Sequence, residues 1–356
     1  KELQFGWEFA FRVIVKVLSV GVTIGLALFL NNYWALVLGA LTASVLQVGL
    51  SYIIHPFRPS LSLKAAKDIW SYSQWSLVVQ LSNYIAWEFD RFLIGGLANP
   101  RQLGLYTVGG EVAQMPSAEI VAPLSRSLVP GFAKLRDHAE RLRAAFLIAT
   151  NASVTVGLPA GIGMYLVAPL LVPVFLGDQW SDAIPVVKIL AVFGVTRVFF
   201  STATNLAKVT GRIRSLAAIS VVRSVIFLAY VYWAFDWSGM EGVALAKLSV
   251  GVLNALAVNA LIVWSGVAAT SQVLAQLWRP IVATAAMALG MGMLNSPLSE
   301  MPMILHLAFL IFIGAMLYTI ILLVLWAAAG RPDGIERAVW KFLNEKWQSA
   351  SRKKTT

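Results

Sequence analysis

The chain has no cysteine, so disulfides and thiolate metal sites are both excluded. Histidine is scarce: His55, His138 and His306 are scattered, and none has a partner at metal-ligand spacing. Charge is also in short supply, at 13% of residues against about 25% in a soluble domain. No glycine-rich loop runs into Lys-Ser or Lys-Thr, so nothing points to an ATPase. What fills the chain instead is apolar: 58% hydrophobic residues and a mean hydropathy of +0.74 over 356 residues. A water-soluble domain does not have this composition. The sequence describes an integral membrane protein.

A bilayer core of about 30 Å needs roughly 20 apolar residues in a helix, and lipid forces each backbone polar group to be satisfied internally. The apolar runs here are too long and continuous for the alternating strands of a barrel. By this rule the chain holds about ten spans, expected at 9–30, 34–54, 69–97, 103–132, 144–176, 183–207, 216–235, 243–265, 281–294 with some upstream extension, and 303–329. The expected class is therefore an all-α polytopic membrane protein. The chain opens on Lys1 and shows no signal peptide, so a truncated N-terminus is expected.

The net charge of +11 is unevenly placed. Alternate loops carry Arg58, Lys64 and Lys67, then Lys134, Arg136, Arg141 and Arg143, then Lys208, Arg212 and Arg214, then Arg279, then the C-terminal tail. The intervening turns hold Arg101 as their sole basic residue, with Asp178, Asp182, Asp236, Glu241 and Glu300. This is the positive-inside pattern, and it predicts both ends of the chain on the cytoplasmic side. In the tail, Ile335, Ala338, Val339, Phe342, Leu343 and Trp347 share one helical face, which predicts an interfacial amphipathic helix followed by a basic Arg352-Lys353-Lys354 segment facing anionic membrane lipids. The external turns are all too short to fold, so function must lie within the helices. Carboxylate pairs such as Glu88/Asp90 and Asp178/Asp182 could suggest glycosyl chemistry, but they lie at helix ends or in small turns without a pocket-forming domain. An enzyme is disfavoured.

Ionisable residues inside a membrane cost a few kcal/mol each and normally face a bundle interior or a wet cavity. In the third span Ser76, Gln80, Asn83, Trp87 and Asp90 share a helical face. In the fourth, Glu111, Gln114, Ala118, Ala122 and Ser125 form a second face, with Glu119 and Arg126 on a neighbouring stripe, about 10 Å apart. The sixth contributes Arg197, Ser201, Thr204, Asn205 and Lys208, the seventh Ser220 and Arg223, and the eighth Lys247 and Asn254. Deep arginines at 126, 197 and 223 suit an electropositive lumen, because guanidinium binds phosphate in a bidentate manner. The structural alternative is that each cation pairs with a carboxylate on a neighbouring helix, Arg126 with Glu111 or Glu119 for example, or that Lys208 and Arg223 snorkel to the interface. Asp90 and Arg91 are expected to form a local pair near the outer end. Helix-internal Pro116, Pro123, Pro130, Gly157, Pro159 and Gly161 loosen the ladder, either to permit bending or as static kinks.

Several segments together resemble the polysaccharide-transport branch of the multidrug/oligosaccharidyl-lipid/polysaccharide exporter superfamily, the Wzx-type flippases with a MATE-like fold. They are Glu88-Phe89-Asp90-Arg91-Phe92-Leu93-Ile94-Gly95, Leu103-Gly104-Leu105-Tyr106, Leu124-Ser125-Arg126 through Pro130, and Ala139-Glu140-Arg141-Leu142. Leu171 through Trp180 and Tyr33-Trp34-Ala35-Leu36-Val37 look like two of the family's turns. The resemblance implies a two-lobe bundle around a central cavity, with the first lobe incomplete here. On that template residues 1–56 are the last two helices of the N-terminal lobe, 57–68 an inter-lobe linker, 69–266 a six-helix C-terminal lobe, 267–330 two additional helices, and 331–356 the cytoplasmic amphipathic helix and tail.

The resemblance further implies a flippase in a bacterial inner membrane. It would carry an undecaprenyl-pyrophosphate-linked oligosaccharide from the cytoplasmic to the periplasmic leaflet, for O-antigen, capsule or exopolysaccharide synthesis. Its implied partners are the lipid-linked oligosaccharide, membrane lipids, a polysaccharide polymerase and a chain-length regulator, with no nucleic acid and no cofactor. Substrate-path residues would be Arg126, Arg197, Arg223, Lys208, Asn205, Gln80 and Asn83, and ion coupling would fall to Asp90, Glu111 or Glu119. Two alternatives stay open: a multidrug exporter of the same superfamily, and a membrane ligase or polymerase.

Overall fold

The computed structural model describes residues 5–54, 66–117, 122–296, 298, 300–330 and 334, with the side chains of 5–10, 12, 53–54, 66–69 and 122–127 outside that description. The expected tail helix and nearly all of the 57–68 linker therefore lie outside the described residues. The chain forms two compact units, Lys1–Asp68 and Ile69–Thr356.

The first unit is a helical hairpin of α1 (Phe5–Leu30) and α2 (Trp34–Ile54). Asn31 takes a positive φ of 46° at the start of the connecting turn, a conformation that Asn tolerates better than most residues. Gly39 lets the two helices approach closely: a Cβ there would lie 2.0 Å from Thr23 Oγ1.

The second unit contains α3 (Ala66–Leu97), α4 (Pro100–Pro116), α5 (Ala122–Lys134), α6 (Ala139–Leu176), a short 3-10 turn (Asp178–Ala183), α7 (Ile184–Val209), α8 (Ile213–Trp264), α9 (Thr270–Asn295) and α10 (Met303–Ala328). α4 starts cleanly, because the Asn99 side chain accepts from the Gln102 N–H at 2.8 Å and Pro100 occupies a position where no donor is needed. The fourth expected span, 103–132, is covered by α4 and α5, with 118–121 between them outside the described residues; Pro116 and Pro123, which lack the N–H of a continuous ladder, lie at their facing ends.

The 52 residues of α8 would make a rod about 78 Å long, more than twice a bilayer core. It is not a rod. Ser238 (φ −146°) and Gly239 (φ 56°, ψ −136°) leave helical geometry, and Gly239 adopts the left-handed region that favours glycine. Arg223 and Lys247, on either side of this break, both lie 6.0 Å from the centre of the Trp87 ring. A straight helix would hold them about 36 Å apart. α8 therefore folds back on itself into two arms, matching the expected separate spans 216–235 and 243–265.

In α6, Pro159 has no N–H to give the Thr155 carbonyl, and the Tyr318 hydroxyl of α10 donates to that carbonyl at 2.5 Å instead. An apolar cluster including Val167, Met287, Met291, Leu307 and Leu310 joins α6, α9 and α10. Arg279 differs from its expected place in a loop. α9 begins at Thr270, which puts Arg279 inside a helix, 2% exposed. His306, in the first turn of α10, is buried.

Among the described residues, seven helices are long and apolar enough to cross a membrane by length and composition. Their outward residues are strongly apolar, as at Trp264, Met293 and Phe312, which is what a lipid solvent selects. α3 and α4 are absent from those seven; α3 carries charge that the unit turns inward, Asp90 being fully buried. The protein is an all-α, multi-pass membrane protein.

Two apolar cores stack along the second unit. One gathers Ile94, Tyr106, Val187, Leu190, Phe193, Phe227 and Val250. The other gathers Val79, Phe132, Leu206, Leu216, Ala217 and Val258. On α3, α7 and both arms of α8 the sequence passes from one core to the other through a short polar interval. Those intervals meet at the same depth, and a cavity opens there.

Candidate functional site

The cavity has a volume of about 360 Å³. α3 contributes Asn83 and Trp87, with Ser117 following α4. Arg197, Ser201, Thr204 and Asn205 come from α7, Ser220 and Arg223 from the first arm of α8, and Asn254 from the second. Spacing of three or four residues within each helix places these groups on one face, so four separate polar stripes converge.

Trp87 is the centre of the arrangement. Arg197 lies over its ring at 4.6 Å, and Arg223 and Lys247 lie at 6.0 Å. Phe193 and Phe200 pack against the indole at 5.1 and 6.4 Å and hold it in place. Cation–π attraction is worth about 2 kcal/mol or more when the cation is desolvated, as these are. Arg197 donates from Nη1 to Gln114 Oε1 at 2.8 Å. Arg223 donates from Nη2 to Asn83 Oδ1 at 2.8 Å and to the Ser82 carbonyl at 3.4 Å. Arg223 is 8% exposed, so it turns inward instead of snorkelling to an interface.

Lys247 is treated differently. It is 6% exposed and reaches Asp90 Oδ2 at 2.5 Å and the Trp87 carbonyl at 2.9 Å. The Tyr106 hydroxyl donates to the same carboxylate oxygen at 2.6 Å. The expected local pair of Asp90 with Arg91 is corrected here. Asp90 accepts from the Arg91 backbone N–H, but its ion pair is with Lys247, and the Arg91 guanidinium pairs with Glu88 at 3.3 Å. Burial explains the exchange: a fully buried carboxylate needs a partner inside the bundle, whereas Arg91 and Glu88 can share solvent-side positions one turn apart.

Of the residues expected along a substrate path, Asn83, Arg197, Asn205 and Arg223 line the cavity. Lys208 lies one turn further along α7, half-buried and outside the lining. Gln80 is exposed on α3; Val79 and Asn83 on that helix line the cavity in its place. Arg126 belongs to α5, but its side chain is outside the described residues, as is all of Glu119. Glu111 is exposed on α4. Asp90 is buried beside the cavity without lining it. Gln114 and Lys247 were visible as polar residues on their helices, but no spacing connects either to its partner. Tyr106 carried no signal, being 16 residues from Asp90 on a different helix.

Among the described residues the lining contains two guanidinium groups and no carboxylate. Asp90, buried beside the cavity, is held by Lys247. The remaining charge is positive and partly dehydrated, and an anion is the ligand it favours.

A family described as "Polysaccharide biosynthesis protein" matches residues 1–185. The chain is 25% identical over 202 residues to the lipopolysaccharide biosynthesis protein WzxC of Escherichia coli (strain K12), covering 56% of this chain and 41% of that one. In general it spans about half the length, or less, of the curated relatives it matches. Among solved structures it is similar to the lipid II flippase MurJ in an inward closed conformation, with a TM-score of 0.68 and 12% identity, covering 92% of this chain and 69% of that one. A MATE protein in the straight conformation superposes with a TM-score of 0.51 and 17% identity, covering 68% of this chain and 59% of that one. Both likenesses establish a MATE-like fold.

Proposed function

The chain belongs to the polysaccharide biosynthesis protein family, and from that premise we propose that it is part of a flippase for lipid-linked oligosaccharide. The cargo is an undecaprenyl-pyrophosphate-linked oligosaccharide, moved from the cytoplasmic to the periplasmic leaflet of a bacterial inner membrane by alternating access. It serves synthesis of a surface polysaccharide. The observation that carries this reading is the cavity at Trp87, where Arg223 is buried and Arg197 half-buried, with no carboxylate in the lining among the described residues. A pyrophosphate or an acidic sugar supplies the missing counter-charge. The lipid tail stays in the bilayer.

Arg197, Arg223, Asn83 and Asn205 are the proposed substrate contacts, with Arg126 on α5 and Lys208 beyond the cavity extending the path. Gln80, exposed on α3, is the least supported. For ion coupling, Asp90 already holds Lys247 and Tyr106, so Glu111 and Glu119 are the proposed carriers. Both ends of this chain are proposed to be cytoplasmic, from the loop charges, and a polymerase and a chain-length regulator are proposed to act downstream. A multidrug exporter is the second reading of the fold. Cationic drugs would meet two guanidinium groups in this cavity, and that favours the flippase.

Complementation tests the proposal. The full-length gene product is expressed in a strain lacking its own flippase, and surface polysaccharide should return. Membrane insertion without any return of polysaccharide, across several matched strains, would refute it.

A further inference from the structure

A buried guanidinium in a helix bundle is commonly neutralised by a carboxylate, which accepts its bonds and also cancels its charge. The acceptors here are neutral. Gln114 Oε1 takes Arg197 at 2.8 Å, and Asn83 Oδ1 takes Arg223 at 2.8 Å. Glutamate and aspartate are near-isosteric with these two residues and would accept the same bonds from the arginines while cancelling their charge; at position 114 the acid would give up the bond that Gln114 Nε2 donates to the Gly110 carbonyl at 3.2 Å. The lobe does use a carboxylate where it needs one: Asp90, two helical turns along α3 from Asn83, neutralises Lys247. Arg223 also keeps a buried Nε with no hydrogen-bond partner among the described residues, a donor beside the cavity that a ligand oxygen could take.

We propose that Gln114 and Asn83 determine the charge selectivity of the cavity. They aim the two guanidinium groups as acids would, yet leave both positive charges for an anionic ligand of the phosphate class. The Trp87 ring shares this task, attracting both cations without cancelling them. This inference rests on the reading of the cavity as an anion site. It adds that the amides, and not only the arginines, decide what enters.

The test uses the purified full-length gene product in detergent, with inorganic pyrophosphate as the probe and calorimetry as the readout. Gln114→Glu and Asn83→Asp should each lower affinity by about tenfold or more, Asn83→Asp with the melting temperature held or raised. Gln114→Ala, which removes the acceptor and keeps the net charge, should lose less affinity than Gln114→Glu. A merely structural role gives the reverse order, with the alanine variant worse. Asn83→Asp supplies an independent reading should Gln114→Glu fail to fold. If the acidic variants bind as tightly as the unmodified protein, or the alanine variant is the weaker, the role of the amides is overturned and the anion site stands. If the unmodified protein ignores pyrophosphate, the anion reading itself falls.

Discussion

Arg223 and Lys247 sit on opposite arms of one folded-back helix and reach the same tryptophan to the same distance, 6.0 Å from its ring centre. Their chemistry diverges from there. Lys247 is closed off: a carboxylate, a backbone carbonyl and two aromatic rings surround its ammonium group. Arg223, like Arg197, is held by neutral acceptors and opens on a cavity. Both arrangements bury a cation, but only the first neutralises it. A protein that needed positive charge merely to join helices would use the first pattern throughout. The second pattern leaves attraction unspent, and that is the property expected of a site that binds and releases a charged cargo.

The comparison can be broken most forcefully at Asp90. Asp90→Ala leaves the Lys247 ammonium buried and uncompensated, and should destabilise the second unit by about 3–5 kcal/mol, measured by thermal unfolding in detergent. The double change Asp90→Leu with Lys247→Met should recover most of that loss, because removing both charges of a buried pair is often neutral. If the double variant is as unstable as the single, the pair does more than balance charge.

The next largest contrast is functional. Arg197→Ala and Arg223→Ala should abolish polysaccharide export in the complementation assay while destabilising the protein less than Asp90→Ala, since each loses hydrogen bonds and a ring contact but leaves only neutral partners behind. A loss of stability as large as that of Asp90→Ala would erase the distinction between the two kinds of cation.

The turn that brings the arms together can be probed at Gly239. Gly239→Ala forces a Cβ into a left-handed conformation (φ 56°) and should cost about 1–2 kcal/mol, visible as a lower melting temperature. Smallest of all is the exposed pair of Arg101 with Asp182, whose side chains are 71% and 62% exposed at 2.9 Å. Arg101→Ala should change stability by about 0.5 kcal/mol or less, which sharpens the contrast with the buried pair at Asp90.

Much of the site was legible in advance because stripes are local. Asn83, Arg197, Asn205 and Arg223 recur at helical spacing among apolar neighbours, and lipid leaves such residues nowhere to face but inward. Gln80, read on the same stripe, is exposed and does not line this cavity. A stripe read from five residues has a phase uncertain by nearly one position, and packing settled the inward face of α3 on Val79, Ser82, Asn83 and Ala86. Asp90 was assigned to its sequence neighbour Arg91 because proximity along the chain is all a sequence offers. Its ion-pair partner is 157 residues away.

The sequence by itself determined the class, the helical spans and the residues with no place in lipid. Hydrophobic length, proline and glycine act over a few residues, so their consequences are written where they occur. Which cation is neutralised and which is left open was decided only by the tertiary structure. Charge is cancelled over about 3–4 Å, and only the folded bundle brings Asp90 to Lys247 while bringing amides to Arg197 and Arg223.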